Sequence, residues 1–109
     1  MPWLVRGDDV LAAAEVVVTR QQRRRGLMQR DALEGVMVIR PCRQVHTFGM
    51  RFPLDVAFCD RYGFVLHTAT MTPRRVSRFV WRSYFAIEAS AGAFDRWGLR
   101  LGDVVEVKG

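Results

Sequence analysis

The chain reads as a mainly β protein, a small β-sandwich or barrel-like fold with two short helices. Three observations predict this class. Short runs rich in valine and aromatic residues recur along the chain with strand-like alternation. Glycine, proline and aspartate punctuate them at close intervals. Finally, no long alternation of strand and helix of the kind that builds a parallel α/β sheet is present. At 109 residues, half apolar and about a quarter charged, the chain suffices for one core without disulfide or metal staples. The expected organisation is an extension over residues 1–9 and one β-rich domain over 10–109.

Taken in order, residues 10–18 predict a strand. Thr19-Arg-Gln-Gln22 then reads as a capping box, in which the Thr19 hydroxyl and the Gln22 side chain satisfy free backbone donors at a helix start. A short helix from Arg20 follows, with Gly26 ending or bending it and a further turn or two reaching Leu33. Residues 36–40 form a strand stopped by Pro41. Asp60-Arg-Tyr-Gly63 carries the residues of a type I turn closed by a left-handed glycine. It joins strands 54–60 and 64–70 into a hairpin. The turn sets a register in which Leu54, Val56 and Phe58 share the core face with Phe64, Leu66 and Thr68, and Asp55, Ala57 and Cys59 line a shallow second face with Val65, His67 and Ala69. A slip of one residue would reverse the placing of His67. Residues 71–78 read as an exposed loop. Alternation over 79–89 predicts a strand with Phe79, Trp81, Phe85 and Ile87 inward and Arg82, Tyr84 and Glu88 opposite. Residues 91–98 fit a short helix ended by Gly98, and 101–107 a closing strand. Val56, Phe58, Leu66, Phe85 and Ile87 are the expected core.

The net charge is +6, and every basic residue but Lys108 is arginine. Arg20, Arg23, Arg24 and Arg25 form one cluster, and Arg74, Arg75, Arg78 and Arg82 another. Such clusters attract polyanions, but no nucleic-acid recognition motif accompanies them, which makes nucleic acid a disfavoured partner. No apolar run approaches the length of a membrane span. No export signal is visible at the start, so the expected compartment is the cytoplasm, with Cys42 and Cys59 as reduced thiols.

Chemistry concentrates in His46-Thr-Phe-Gly-Met-Arg-Phe-Pro-Leu-Asp55, which packs an imidazole, a thioether, a guanidinium and a carboxylate around a chain-stiffening Pro53. Asp55 enters an apolar strand, where a carboxylate is either paired or desolvated. It serves either as a base or ligand anchor, or structurally as a cap of the Met50–Pro53 turn or an arginine partner. Glu88 lies in another apolar strand and is expected to face the same cleft. Its alternatives are an acid–base role opposite Asp55 or a satisfied bridge to Arg30 or Arg51. Met28, Met37, Met50, Cys42 and His46 are soft donors of the kind Cu(I) takes, but no dense ligand spacing accompanies them, so neither metal nor cofactor is expected. No catalytic-triad, Walker or dinucleotide motif is present.

Gly26-Leu-Met-Gln-Arg30, Gly35-Val-Met-Val38, the His46–Asp55 motif, Ile87-Glu-Ala-Ser-Ala-Gly92 and Gly98-Leu-Arg-Leu-Gly-Asp103, in this order, resemble the motif series of the domain of unknown function 192 family. The resemblance spans nearly the whole chain. It implies a compact β-rich domain without an established activity, many of whose members are exported, and it implies that the motif residues converge.

Three functions follow from the residues. A non-catalytic binding or accessory module would hold a small anionic or sugar-like ligand in a mixed-charge cleft of Arg30, His46, Met50, Arg51, Asp55 and Glu88. A hydrolase would use Asp55 and Glu88 as acid and base. A polyanion-binding domain would use the arginine clusters. A small domain with one such cleft and no nucleophile motif fits the binding module best.

Overall fold

Seven strands and two helices make up the computed structural model, which describes residues 1–27 and 30–109. In chain order they are β1 (Trp3–Arg6), β2 (Asp9–Val17), α1 (Arg20–Leu27), β3 (Val36–Ile39), β4 (Leu54–Cys59), β5 (Val65–Met71), β6 (Phe85–Ser90), α2 (Ala93–Trp97) and β7 (Glu106–Lys108). The strands form one sheet in the order β5-β4-β6-β3-β2-β1-β7. All pairings are antiparallel except β2 with β3, which α1 connects as a crossover. No continuous ladder closes the sheet into a barrel, but its two ends meet at an isolated bridge between Phe64 and Val104. Residues 1–9, expected as an extension, contain β1, which pairs on both sides within the sheet.

Alternation along the central strands divides the interior into two cores, one on each face. On one face Val36, Val38, Ala57, Cys59, Val65, Ile87 and Ala89 pack under α2 with Phe94 and Leu99. On the other, Met37, Ile39, Leu54, Val56, Phe58 and Ala86 pack under α1 and the 45–52 segment with Leu27, Val45, Met50 and Phe52. The face expected to be a shallow floor is therefore a second core, and every residue of β4 is buried.

The turn at 60–63 forms as its residues predict. The Gly63 N–H donates to the Asp60 carbonyl at 3.0 Å, and the Asp60 carboxylate accepts from the N–H groups of Tyr62 and Phe64. Gly63 has φ 88°, and a Cβ there would collide with the Val105 carbonyl. The register beyond the turn differs from expectation. A bulge at Leu66 pairs Cys59 with Val65 but Phe58 with His67, shifting every later residue by one. His67, Ala69 and Met71 thus share the face of Phe58, Val56 and Leu54, and the His67 ring stacks on Phe58 with centroids 6.2 Å apart. Val56, Phe58, Phe85 and Ile87 are buried as expected, whereas Leu66 is only half-buried at the bulge.

Residues 79–84 are not a strand. β6 begins at Phe85, and Phe79 and Trp81 are exposed rather than inward. The 74–84 segment instead runs antiparallel to 42–47 as a ribbon. It is held by Thr47 N–H to Arg75 O, Ser77 N–H to Val45 O, Val80 N–H to Arg43 O and Cys42 N–H to Tyr84 O, all between 2.8 and 3.0 Å. Thr47, fully buried, fixes the closed end of the ribbon. Its hydroxyl donates to Thr72 O at 2.7 Å and accepts from Arg75 N–H at 2.9 Å.

Helix α1 starts at the predicted cap. The Gln22 N–H donates to Thr19 Oγ1 at 3.1 Å, while the Gln22 side chain accepts from Val18 N–H, one residue before the cap. Gly26 is the penultimate residue of α1, and a Cβ there would strike the end of the fully buried Met37 side chain. Of the expected continuation to Leu33, Met28 and Gln29 lie outside the described residues; residues 30–33 are not helical. The C-terminal elements form near their expected places. Gly98 caps α2 with its N–H on the Asp95 carbonyl, and the closing strand is shorter than expected, beginning at Glu106.

Candidate functional site

Asp55 and Glu88 do not share a cleft. In the β4–β6 ladder Asp55 is opposite Ala89 and Val56 is opposite Glu88, so their side chains project from opposite faces of the sheet. Asp55 points toward α2. Its Oδ2 accepts from the N–H groups of Gly92 and Phe94 at 2.9 and 3.1 Å, and its Oδ1 from the Thr70 hydroxyl at 2.7 Å. All three donors are neutral. Asp55 thereby caps the turn into α2, a structural role on a different turn from the one near Pro53.

Glu88 points toward α1 and is fully buried. The bridge expected to Arg30 or Arg51 is made by Arg23. Its Nε donates to Oε1 at 3.0 Å and its Nη2 to Oε2 at 2.6 Å, a bidentate pair. Arg23 Nη2 also donates to the His46 carbonyl at 2.8 Å, so one guanidinium ties α1 to β6 and to the ribbon. Burial pushes the Glu88 carboxyl above its ordinary range, against the lowering effect of Arg23.

Above this pair a hollow of about 840 Å³ opens between α1 and the ribbon. Its floor is apolar, formed by Leu27, Ile39, Val45 and Met50, and the lining includes Phe48 and Val76. Arg20, Arg23, Arg24, Arg43 and His46, with the uncharged Thr19 and Gln44, supply the polar lining, and no carboxylate is among the lining residues. Arg23 is committed to Glu88, whereas Arg20, Arg24 and Arg43 have no carboxylate partner among the described residues. His46 Nδ1 accepts the Phe48 N–H at 3.3 Å, leaving Nε2 to carry the proton of the neutral ring. Partial burial, with Arg23 and Arg20 nearby, holds the His46 pKa below its ordinary value. Cys42, on the same wall, donates to the Gln44 carbonyl. Desolvation keeps it a thiol, with a raised pKa.

Of the predicted site residues, His46 and Met50 line the hollow and Glu88 anchors the arginine behind it. Arg30 is exposed, and Arg51 sits at the surface 4.0 Å from Asp31. Asp55 is on the far face. Among the described residues no group of three or more His, Cys, Asp or Glu side chains is placed to hold a metal ion. Met28, one of the soft donors, lies outside the described residues. Sequence reasoning placed Arg23 in a surface cluster and missed its inward role. The capping box fixes where the helix starts, but no sequence signal identifies a partner 65 residues away.

The fold is similar to two solved structures. A protein of unknown function from Novosphingobium aromaticivorans superposes with a TM-score of 0.80 at 25% identity, covering 96% of this chain and 83% of that one. A Sinorhizobium meliloti protein described as a "putative transcription regulator" superposes with a TM-score of 0.76 at 22% identity, over 97% of this chain and 91% of that one. Comparison with curated proteins gives no match. No helix among the described residues is long and apolar enough to cross a membrane. The family model described as Uncharacterized ACR matches residues 4–107, and the chain belongs to that family, DUF192.

Proposed function

We propose that this protein is a non-catalytic binding module whose hollow takes a small ligand with an anionic head and an apolar body. The observation that carries this reading is the lining itself: an apolar floor with arginines and a neutral histidine around it, and no carboxylate. The hollow's volume lies within the ordinary range for small-molecule sites, ~300–1,000 Å³. Arg20 and Arg24, one helical turn apart on α1, offer donors suited to a carboxylate or phosphate. Their charge favours an anion over a sugar-like ligand. The hydrolase alternative loses its support, because its two acids project from opposite faces of the sheet.

The test is thermal melting with hexanoate and hexyl phosphate against hexanol. Ligand at about 100 times its Kd stabilises the fold by roughly 2.7 kcal/mol, so the acids should raise Tm clearly and the alcohol should not. Arg20→Gln with Arg24→Gln should abolish the rise while leaving the unliganded Tm close to wild type. An equal response to hexanol, or an undiminished response in the double variant, would sink the proposal.

A further inference from the structure

We infer that the outer side of the 42–48/74–84 ribbon, which shares Arg43, Phe48 and Val76 with the wall of the hollow, is a docking surface for anionic lipid headgroups. The ribbon exposes apolar side chains: Phe48 at 53%, Val76 at 55%, Phe79 at 52% and Trp81 at 73% of their surface. Phe79 and Trp81 form a pair with ring centroids 6.3 Å apart, and the Arg43 guanidinium lies over the Trp81 ring at 5.5 Å. An indole carrying a guanidinium on its face is amphipathic, with an apolar body and a polar handle, and such residues partition to the boundary between headgroups and acyl chains.

The charge of the ribbon fits the same partner. Residues 74–84 contribute Arg74, Arg75, Arg78 and Arg82, and the sequence has no acidic residue from Gly35 to Leu54 or from Arg61 to Ile87. Both segments of the ribbon therefore carry basic and no acidic side chains, and clusters of this size are held by the negative potential of an anionic leaflet. Single-stranded nucleic acid is the competing polyanion. It is bound by aromatic faces on which successive bases stack. Here the two rings are inclined at 44° and Arg43 lies over one face of Trp81, while Val76 adds aliphatic surface that inserts but does not stack. This geometry favours lipid.

The test is co-sedimentation of the full chain, at physiological salt, with vesicles of phosphatidylcholine alone and with a third of the lipid replaced by phosphatidylglycerol. Binding to the anionic vesicles should be at least about tenfold tighter. Tryptophan emission should shift to the blue on binding, and this shift should be lost in Trp81→Phe, which leaves Trp3 and Trp97 as the reporters. Phe79→Ser with Trp81→Ser should lower binding at least about tenfold without lowering Tm, since both side chains are exposed. Equal binding to the two vesicle types, full retention in the double variant, or preferential capture by an oligodeoxythymidylate at the same salt would each overturn the inference.

Discussion

Asp55 and Glu88 sit on neighbouring strands, one residue out of register, yet they face opposite cores and are satisfied by opposite means. Asp55 is held by two backbone N–H groups and a hydroxyl, all neutral and all on segments packed beside it. Glu88 is held by a single guanidinium that reaches in from α1, the Arg23 side chain remaining 14% exposed. The first arrangement fixes a turn and leaves nothing for a ligand to exploit. The second hangs a helix on one charged pair and places that pair beneath the hollow. A buried acid in a strand thus carries different consequences depending on whether its partners are backbone or side chain.

The largest expected effect is on the Glu88 face. Arg23→Ala leaves a buried acid without its partner and should destabilise the fold by about 3–5 kcal/mol in urea unfolding. Adding Glu88→Leu should restore most of that loss, because an apolar replacement of both partners removes the desolvation problem. Should the double variant stay as unstable as the single, the pair contributes through packing rather than charge. On the other face, Asp55→Ala strands two N–H groups and the Thr70 hydroxyl and should cost about 1–3 kcal/mol, with no rescue by a second apolar substitution. Smaller again is Thr19→Ala, which removes the α1 cap and should cost ~1 kcal/mol. If the helix is hung mainly on Arg23, this loss should shrink in the Arg23→Ala background.

The smallest effect is the dependence on pH, and its sign separates Glu88 from the histidines. Glu88 has a raised carboxyl pKa in the folded chain, so above the ordinary value of 4.5 the native state binds more protons than the unfolded one. Its contribution is complete below that value and is lost as pH rises through the folded pKa. His46 and His67 are depressed below 6.5, and their contribution is present above that value and lost as pH falls through their folded pKa values. Wild type compared with Glu88→Gln should therefore show stability falling more steeply with rising pH in the wild type. Parallel profiles would mean that Arg23 fully offsets the burial of Glu88.

What was legible in the chain was local. The Asp60–Gly63 turn, the Thr19 cap and the glycine end of α2 depend on residues within four positions of one another, and all form. Long-range pairing was not legible. The hairpin faces were misassigned because one extra residue, Leu66, bulges after a correctly read turn. The 79–84 stretch alternates like a strand, but alternation does not say whether a partner strand or solvent meets each side; Phe79 and Trp81 meet solvent. The same reason explains the site. In the His46–Asp55 motif, Thr47, Met50, Phe52, Leu54 and Asp55 turn inward, and of its four chemically suggestive side chains His46 and Arg51 alone are exposed, so much of the motif packs the ribbon against the sheet. Arg23 then supplies the contact that motif chemistry had assigned to Arg30 or Arg51.

β1 lies between β2 and β7, pairing Trp3 with Ala13 on one side and with Lys108 on the other. The second of these contacts spans almost the whole chain, and its loop-closure entropy must be met before the contact can stabilise anything. On a ribosome β1 emerges long before its outer neighbour is made, so the β1 edge stays open until β7 has emerged. Folding should accordingly be slow for a chain of this length, with docking of β7 among the last steps. The vulnerable interval for misassembly is the time when that edge has no strand to pair with.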